Sequence, residues 1–231
     1  MSPNTQLLIF PFAGGSSNAF KKTSSLLDRT IEVIALDHPG RGRRRQEHVA
    51  QSYADLLCDA RVQIRQRCAS EKPIAALGYS LGAVVLYDLL PWLEESYFVA
   101  HTFFCARASL DQADETKTYA FLPESDFRSK MTKLGGIDRE LLADERFSKL
   151  HFDSIRSDYL LWAQHSFERR DIRSSASILY SERDTPFQTV SGWRKLIQGH
   201  VSFFELGTNH FFINECPERV ADVINAEIRS L

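Results

Sequence analysis

The chain has 231 residues, enough for one sizeable core, and its formal net charge of −2 gives no reason to expect nucleic acid or an acidic membrane as partner. Apolar residues make up 43% and charged residues 25%, the balance of an ordinary soluble globular protein. The cysteines (Cys58, Cys68, Cys105, Cys216) form no C-x-x-C and read as reduced, mostly buried residues; without a signal-like start or a membrane-length apolar run, a cytoplasmic protein is the default.

Leu7-Leu8-Ile9-Phe10, ended by Pro11, is a short apolar run expected to be a buried strand. It leads into Phe12-Ala13-Gly14-Gly15-Ser16, a turn whose glycines let backbone N–H groups approach a ligand, and then into a helix from about Asn18 to Leu27. A G-x-G-x-x-G dinucleotide fingerprint is absent. Ile31 to Leu36 is a second strand, followed by Asp37-His38-Pro39-Gly40-Arg41-Gly42. Arg41, Arg43, Arg44 and Arg45 give four arginines in five positions, either a phosphate cradle or, by the more common reading, a solvated face. A helix starts after Ser52, its expected N-cap, with Tyr53, Leu57, Ala60, Ile64 and Cys68 on one face.

Pro73 to Leu77 is the next apolar run, and Gly78-Tyr79-Ser80-Leu81-Gly82 follows it directly. G-x-S-x-G between a strand and a helix is the pattern of a nucleophile elbow, in which the tight turn needs glycine two residues before and two after the serine. The helix after it should run to about Leu90 and kink or break at Pro91. Phe98 to Cys105 reads as a central strand, and His101 within it as a packed core histidine. From Leu110 to about Leu150 the chain is charged, with Phe127, Met131 and Leu134, then Leu141, Leu142 and Phe147, at helical spacing and Gly135-Gly136 between them. This segment, 110–150, is expected to be a helical lid inserted between strands, over the edge where ligands bind. A helix from Phe152 to Phe167 follows. Ala176–Tyr180 is a strand, Thr189–Gln198 a helix, Val201–Leu206 a strand, and the last helix has Pro217 in its first turn.

Strands alternating with helices predict one α/β domain over 1–231, with a mostly parallel central sheet covered by helices on both faces. Its functional loops should gather at the carboxyl edge, where three of them offer Ser80, Asp184 and His210 in the order of the α/β-hydrolases. A serine hydroxyl needs an imidazole to accept its proton, and the imidazole needs a carboxylate to hold its tautomer. Two N–H donors must stabilise the oxyanion; Leu81, after the nucleophile, supplies one, and Ala13 or its neighbour Phe12 the other. Asp111 and Asp114 also follow a strand and are alternatives for the acid.

Almost end to end, the sequence resembles the type II thioesterases, free-standing editing enzymes of nonribosomal peptide and polyketide synthesis. The resemblance rests on Leu8 to Ser16, on Pro39-Gly40-Arg41-Gly42 with Arg44 and Glu47, and on Gly78 to Ala83. It extends to Leu134-Gly135-Gly136 with Leu141-Leu142-Ala143-Asp144, and to His210-Phe211-Phe212. It places the acid at Asp184 and implies a lid over a pocket for an acyl chain on the phosphopantetheine of a carrier protein, with no cofactor of the enzyme's own and no metal. Tyr79 stands where the family has histidine, and Thr208-Asn209 where glycine is common. The implied reaction is hydrolysis of carrier-bound acyl thioesters, and a monomer is the simplest expectation. A carboxylesterase or acyltransferase on the same triad, and a binding protein without turnover, are the rival readings.

Overall fold

A computed structural model describes residues 4–135 and 143–231. Gly136, Leu141 and Leu142 of the expected lid signature lie outside the described residues. Six parallel strands form one sheet in the order β2-β1-β3-β4-β5-β6: β1 Thr5–Phe10, β2 Ile31–Ala35, β3 Ile74–Tyr79, β4 Val99–Cys105, β5 Ser175–Tyr180 and β6 Val201–Glu205. The alternation of the strands sorts their side chains into two cores. Leu8, Phe10, Ala76, Phe104 and Ile178 pack on one face with helices α2 (Tyr53–Arg67) and α3 (Leu81–Ser96). Leu7, Ile9, Leu77, Tyr79, Phe103 and Leu179 pack on the other with Phe20. Every residue of β3 is buried, as expected for a strand covered on both sides.

The strand order reverses between β1 and β3, which pair with Phe10 opposite Gly78. The glycine-rich turn after β1 and the elbow after β3 therefore emerge side by side at the carboxyl edge, the usual place for a ligand in such sheets.

Several helices depart from the expected ones. The first is a 3-10 turn, Ser17–Phe20, running into α1, Lys21–Ser25. Helix α3 does not break at Pro91 but continues to Ser96. A proline inside a helix costs about 3 kcal/mol, and here Leu89, Leu90 and Leu93, all fully buried, hold the helix in place. Helix α4 (Glu124–Leu134) is followed by α5, which starts at Glu145 rather than Phe152 and ends at Gln164. Asp144 caps α5 at its N-terminus by accepting from the Phe147 N–H, a start signal ahead of the one the apolar spacing suggested. The segment expected as helix Thr189–Gln198 is a short α6, Phe187–Val190, and a 3-10 turn, Ser191–Lys195. The chain ends in α7 (Phe212–Glu215) and α8 (Pro217–Arg229). Ser52 caps α2 as expected, and Leu56 rather than Leu57 is the deeply buried leucine there.

Phe127 and Met131 of α4 with Phe152 and Ile155 of α5 form a third, separate apolar cluster, against which Ala13 packs. That cluster sits over the carboxyl edge of the sheet. Among the described residues no helix is long and apolar enough to cross a membrane.

Candidate active site

Ser80 stands between the end of β3 and the start of α3 with φ 53° and ψ −110°, a conformation that L-residues rarely hold. The turn is that tight because the backbone around it is. A Cβ on Gly78 would lie 2.5 Å from the Ala83 Cα, and one on Gly82 would overlap the Phe10 carbonyl oxygen. The Ser80 N–H donates to the Cys105 carbonyl at 2.8 Å, tying the elbow to β4.

His210 follows β6, and its Nδ1 lies 2.8 Å from Asp184 Oδ2 in the loop after β5. Both side chains are largely buried. Asp111 and Asp114 are engaged elsewhere. Asp111 accepts from Ser109 Oγ at 2.6 Å, while Asp114 pairs with Arg107 and accepts from the Thr116 N–H. Burial pushes the Asp114 carboxyl up, but Arg107 and Thr116 outweigh it and leave it below the ordinary carboxylate range.

Neighbouring side chains set the His210 loop. Glu215 accepts from the Thr208 N–H, Thr208 Oγ1 and Asn209 Nδ2, each at 2.8 Å, and Asn209 Oδ1 accepts from the Phe211 N–H at 2.7 Å. Thr208 and Asn209 thus replace glycine with residues that lace the loop down. Tyr79 does something similar from below. Its buried hydroxyl donates to the His210 carbonyl at 2.7 Å, and burial pushes the phenol well above its ordinary pKa, keeping the proton on it. Sequence reasoning had no signal for this role.

Ser80 and His210 line one small cavity of about 50 Å³, with Phe12, Ala13, Met131, Leu134 and Ile155 among its walls. A wider cleft of about 500 Å³ opens beside it and includes Asp184, Arg107 and Trp162. Among the hydrogen bonds of the described residues none joins Ser80 Oγ to His210 Nε2, a looseness common in such sites before substrate arrives. None uses the N–H of Ala13 or Leu81 either.

The arginines are neither a phosphate cradle nor a uniformly solvated face. Arg41 is buried against Asp158, and Arg44 pairs with Asp59 and Glu47. Arg43 is exposed but reaches Asp37 at 3.2 Å. His101 is the packed core histidine expected, with Nε2 2.9 Å from Ser177 Oγ. All four cysteines are free, but only Cys105 is buried; Cys68 and Cys216 are half-buried and Cys58 is exposed, against the expectation that most would be buried.

The thioesterase domain family matches residues 5–228. The chain belongs to the thioesterase family. Thioesterase PikA5 of Streptomyces venezuelae is 27% identical over 222 residues, covering 93% of this chain and 78% of that protein. The gramicidin S biosynthesis protein GrsT of Aneurinibacillus migulanus is 21% identical, over 97% of this chain and 89% of its own length. Among solved structures, ClbQ from the colibactin NRPS/PKS pathway superposes with a TM-score of 0.90 at 23% identity, covering 98% of both chains. At that identity the superposition speaks for the fold, that of an α/β-hydrolase. This thioesterase is accordingly a thioester hydrolase, and the loops that carry Ser80, Asp184 and His210 lie at the carboxyl edge of its sheet.

Proposed function

We propose that this thioesterase releases acyl groups from the phosphopantetheine arm of carrier proteins, as an editing enzyme of nonribosomal peptide or polyketide synthesis. The observation that carries the catalytic part is the Asp184–His210 hydrogen bond beside a serine held at a strained elbow. In the reaction, Ser80 Oγ attacks the thioester carbonyl carbon and its proton passes to His210 Nε2. The Asp184 carboxylate accepts from His210 Nδ1–H, fixing the tautomer and stabilising the imidazolium. The oxyanion is met by the N–H groups of Ala13 and Leu81, the latter at the positive end of α3. Collapse breaks the C–S bond, and His210 returns the proton to the leaving thiolate. A thiol, with a pKa of about 8.5, needs less help in leaving than an amine would. Water then attacks the acyl-Ser80 ester with His210 as base, and the free acid departs. No cofactor enters this sequence.

The kinship with proteins of such pathways supports the carrier-bound substrate. The borrelidin-cluster protein BorB, for instance, is a type II thioesterase that superposes with a TM-score of 0.84 at 20% identity. We further propose that 1–231 acts as one domain and 110–150 as its lid, since Met131 and Leu134 wall the cavity beside Ser80. The test is to incubate the protein with acetyl-loaded carrier, acetyl-CoA and an aryl acetate. Release from the carrier faster than from the other two, lost in Ser80→Ala, is the expected result. Preference for the aryl ester would favour a carboxylesterase, and no Ser80-dependent release from any of them would refute hydrolysis.

A further inference from the structure

Ala13 sits between two peptide planes, and both are pinned. The plane carrying its own N–H includes the Phe12 carbonyl, which accepts from the Gly15 N–H at 2.8 Å. The plane on its other side carries the Gly14 N–H, which donates to Asp158 Oδ2 at 2.7 Å across 144 positions of sequence. Asp158 lies on α5, the helix that also contributes Ile155 to the cavity wall. The same helix presses on the turn directly: a Cβ on Gly14 (φ 73°) would lie 2.5 Å from Ile155 Cγ1.

Asp158 is 3% exposed and would be costly there alone. Its counterion is Arg41, 7% exposed, from the loop after β2. Arg41 Nη2 lies 2.7 Å from Asp158 Oδ1 and Nε 3.4 Å from Oδ2; Nη2 also donates to the Ser154 carbonyl and to Ser157 Oγ on the same helix. A buried ion pair of this kind is poor value as a stabiliser, because desolvation offsets most of its attraction. It does two other things well. It fixes the direction of one carboxylate oxygen, and it neutralises a charge that would otherwise repel an oxyanion forming nearby.

We propose that Asp158, held by Arg41, is a positioning residue that sets the Ala13–Gly14 peptide and so aims the Ala13 N–H at the oxyanion, making the donor's alignment depend on the seating of helix α5. The inference rests on the reading of Ala13 as an oxyanion donor and leaves open which acyl thioester is cleaved. Asp158 touches no substrate and acts only through the turn.

The test uses the full chain and a fluorophosphonate, whose capture by Ser80 also places a developing oxyanion in the same hole. Two variants are compared with the parent: Asp158→Asn, and Arg41→Met combined with Asp158→Leu. The double variant removes both charges together, so that no unpaired ion is left buried. Labelling is resolved into a saturating rate and a half-saturating concentration, alongside thermal melting, at a temperature well below all the melting transitions. Loosening one oxyanion donor should lower the saturating rate about 10- to 100-fold in both variants, with the half-saturating concentration little changed. The double variant should recover most of the melting temperature lost by Asp158→Asn without recovering the rate. A rate that returns in step with the melting temperature would make the pair merely structural and overturn the proposal, as would parental labelling by the double variant. Absence of Ser80 labelling in the parent would overturn it as well. Failure to release carrier-bound acyl groups by a parent that still labels would instead count against the substrate assignment alone.

Discussion

Replacing Tyr79 with phenylalanine should separate a stabilising ring from a positioning hydroxyl. The ring is fully buried and packs against Phe12, Phe212 and the imidazole of His210, with centroid separations of 5.8, 5.3 and 6.2 Å; phenylalanine keeps these contacts. What is lost is the 2.7 Å donation to the His210 carbonyl and the weaker 3.4 Å acceptance from the Ile213 N–H. Leaving such a part-buried carbonyl unpaired costs about 2 kcal/mol. For a chain of 231 residues that is a fall of roughly 4 °C in melting temperature. The released peptide carries the His210 ring with it, so kcat for thioester hydrolysis should fall about tenfold while KM stays near the parent value. Calorimetry and steady-state assays on the same preparation read both. If Tyr79→Phe melted and turned over like the parent, the hydroxyl would hold nothing and the argument for it would be wrong.

Asp184→Asn should leave the fold intact and cut kcat by about 10³–10⁴-fold, since the amide no longer holds the imidazole in the productive tautomer; a loss under tenfold would move the acid's role to another residue. Gly82→Ala forces a Cβ onto the Phe10 carbonyl and should cost about 3 kcal/mol in denaturant unfolding, whereas an unchanged midpoint would mean the elbow can relax. His101 supplies a pH test. Burial, with a smaller contribution from His200, lowers its folded pKa to about 4 from 6.5 even with Glu227 Oε2 3.5 Å from Nε2. Between those two values the unfolded chain holds the proton and the folded one does not. Stability should therefore fall as pH drops from about 6.5 to about 4, by up to about 3 kcal/mol. His101→Gln should flatten that slope in pH-dependent melting, and an equally steep slope would refute the assignment.

The parts of the fold and site that were legible in the sequence are those that local rules dictate. The elbow is recognisable because only glycine fits beside Gly82 O and Phe10 O, and alternation within each strand marked the two faces of the sheet. Three loops in the right order put Ser80, Asp184 and His210 at one edge. The acid stayed open on residues alone because Asp111 and Asp114 follow a strand just as Asp184 does, and only their partners tell them apart. The remainder depended on distant neighbours. Nothing near Arg41 in sequence announces Asp158, 117 positions away, so an arginine buried for its counterion looked like one more surface charge. Pro91 read as a stop until the packing around α3 was known. The first turns of α5 fell to the expected helical lid rather than to the helix from Phe152, because nothing in the apolar spacing joins the two, whereas the cap at Asp144 makes them one helix.

The most direct measurement is to map, by peptide mass spectrometry, where a fluorophosphonate attaches to the full chain, and to compare its rate in the parent with that in His210→Ala. The expected result is a single adduct on Ser80 whose formation slows at least a hundredfold without the imidazole, since removing a triad member typically costs roughly 10⁴–10⁶-fold in turnover. An adduct on any other residue, or a Ser80 adduct that forms as fast without His210, would contradict the relay on which the function rests.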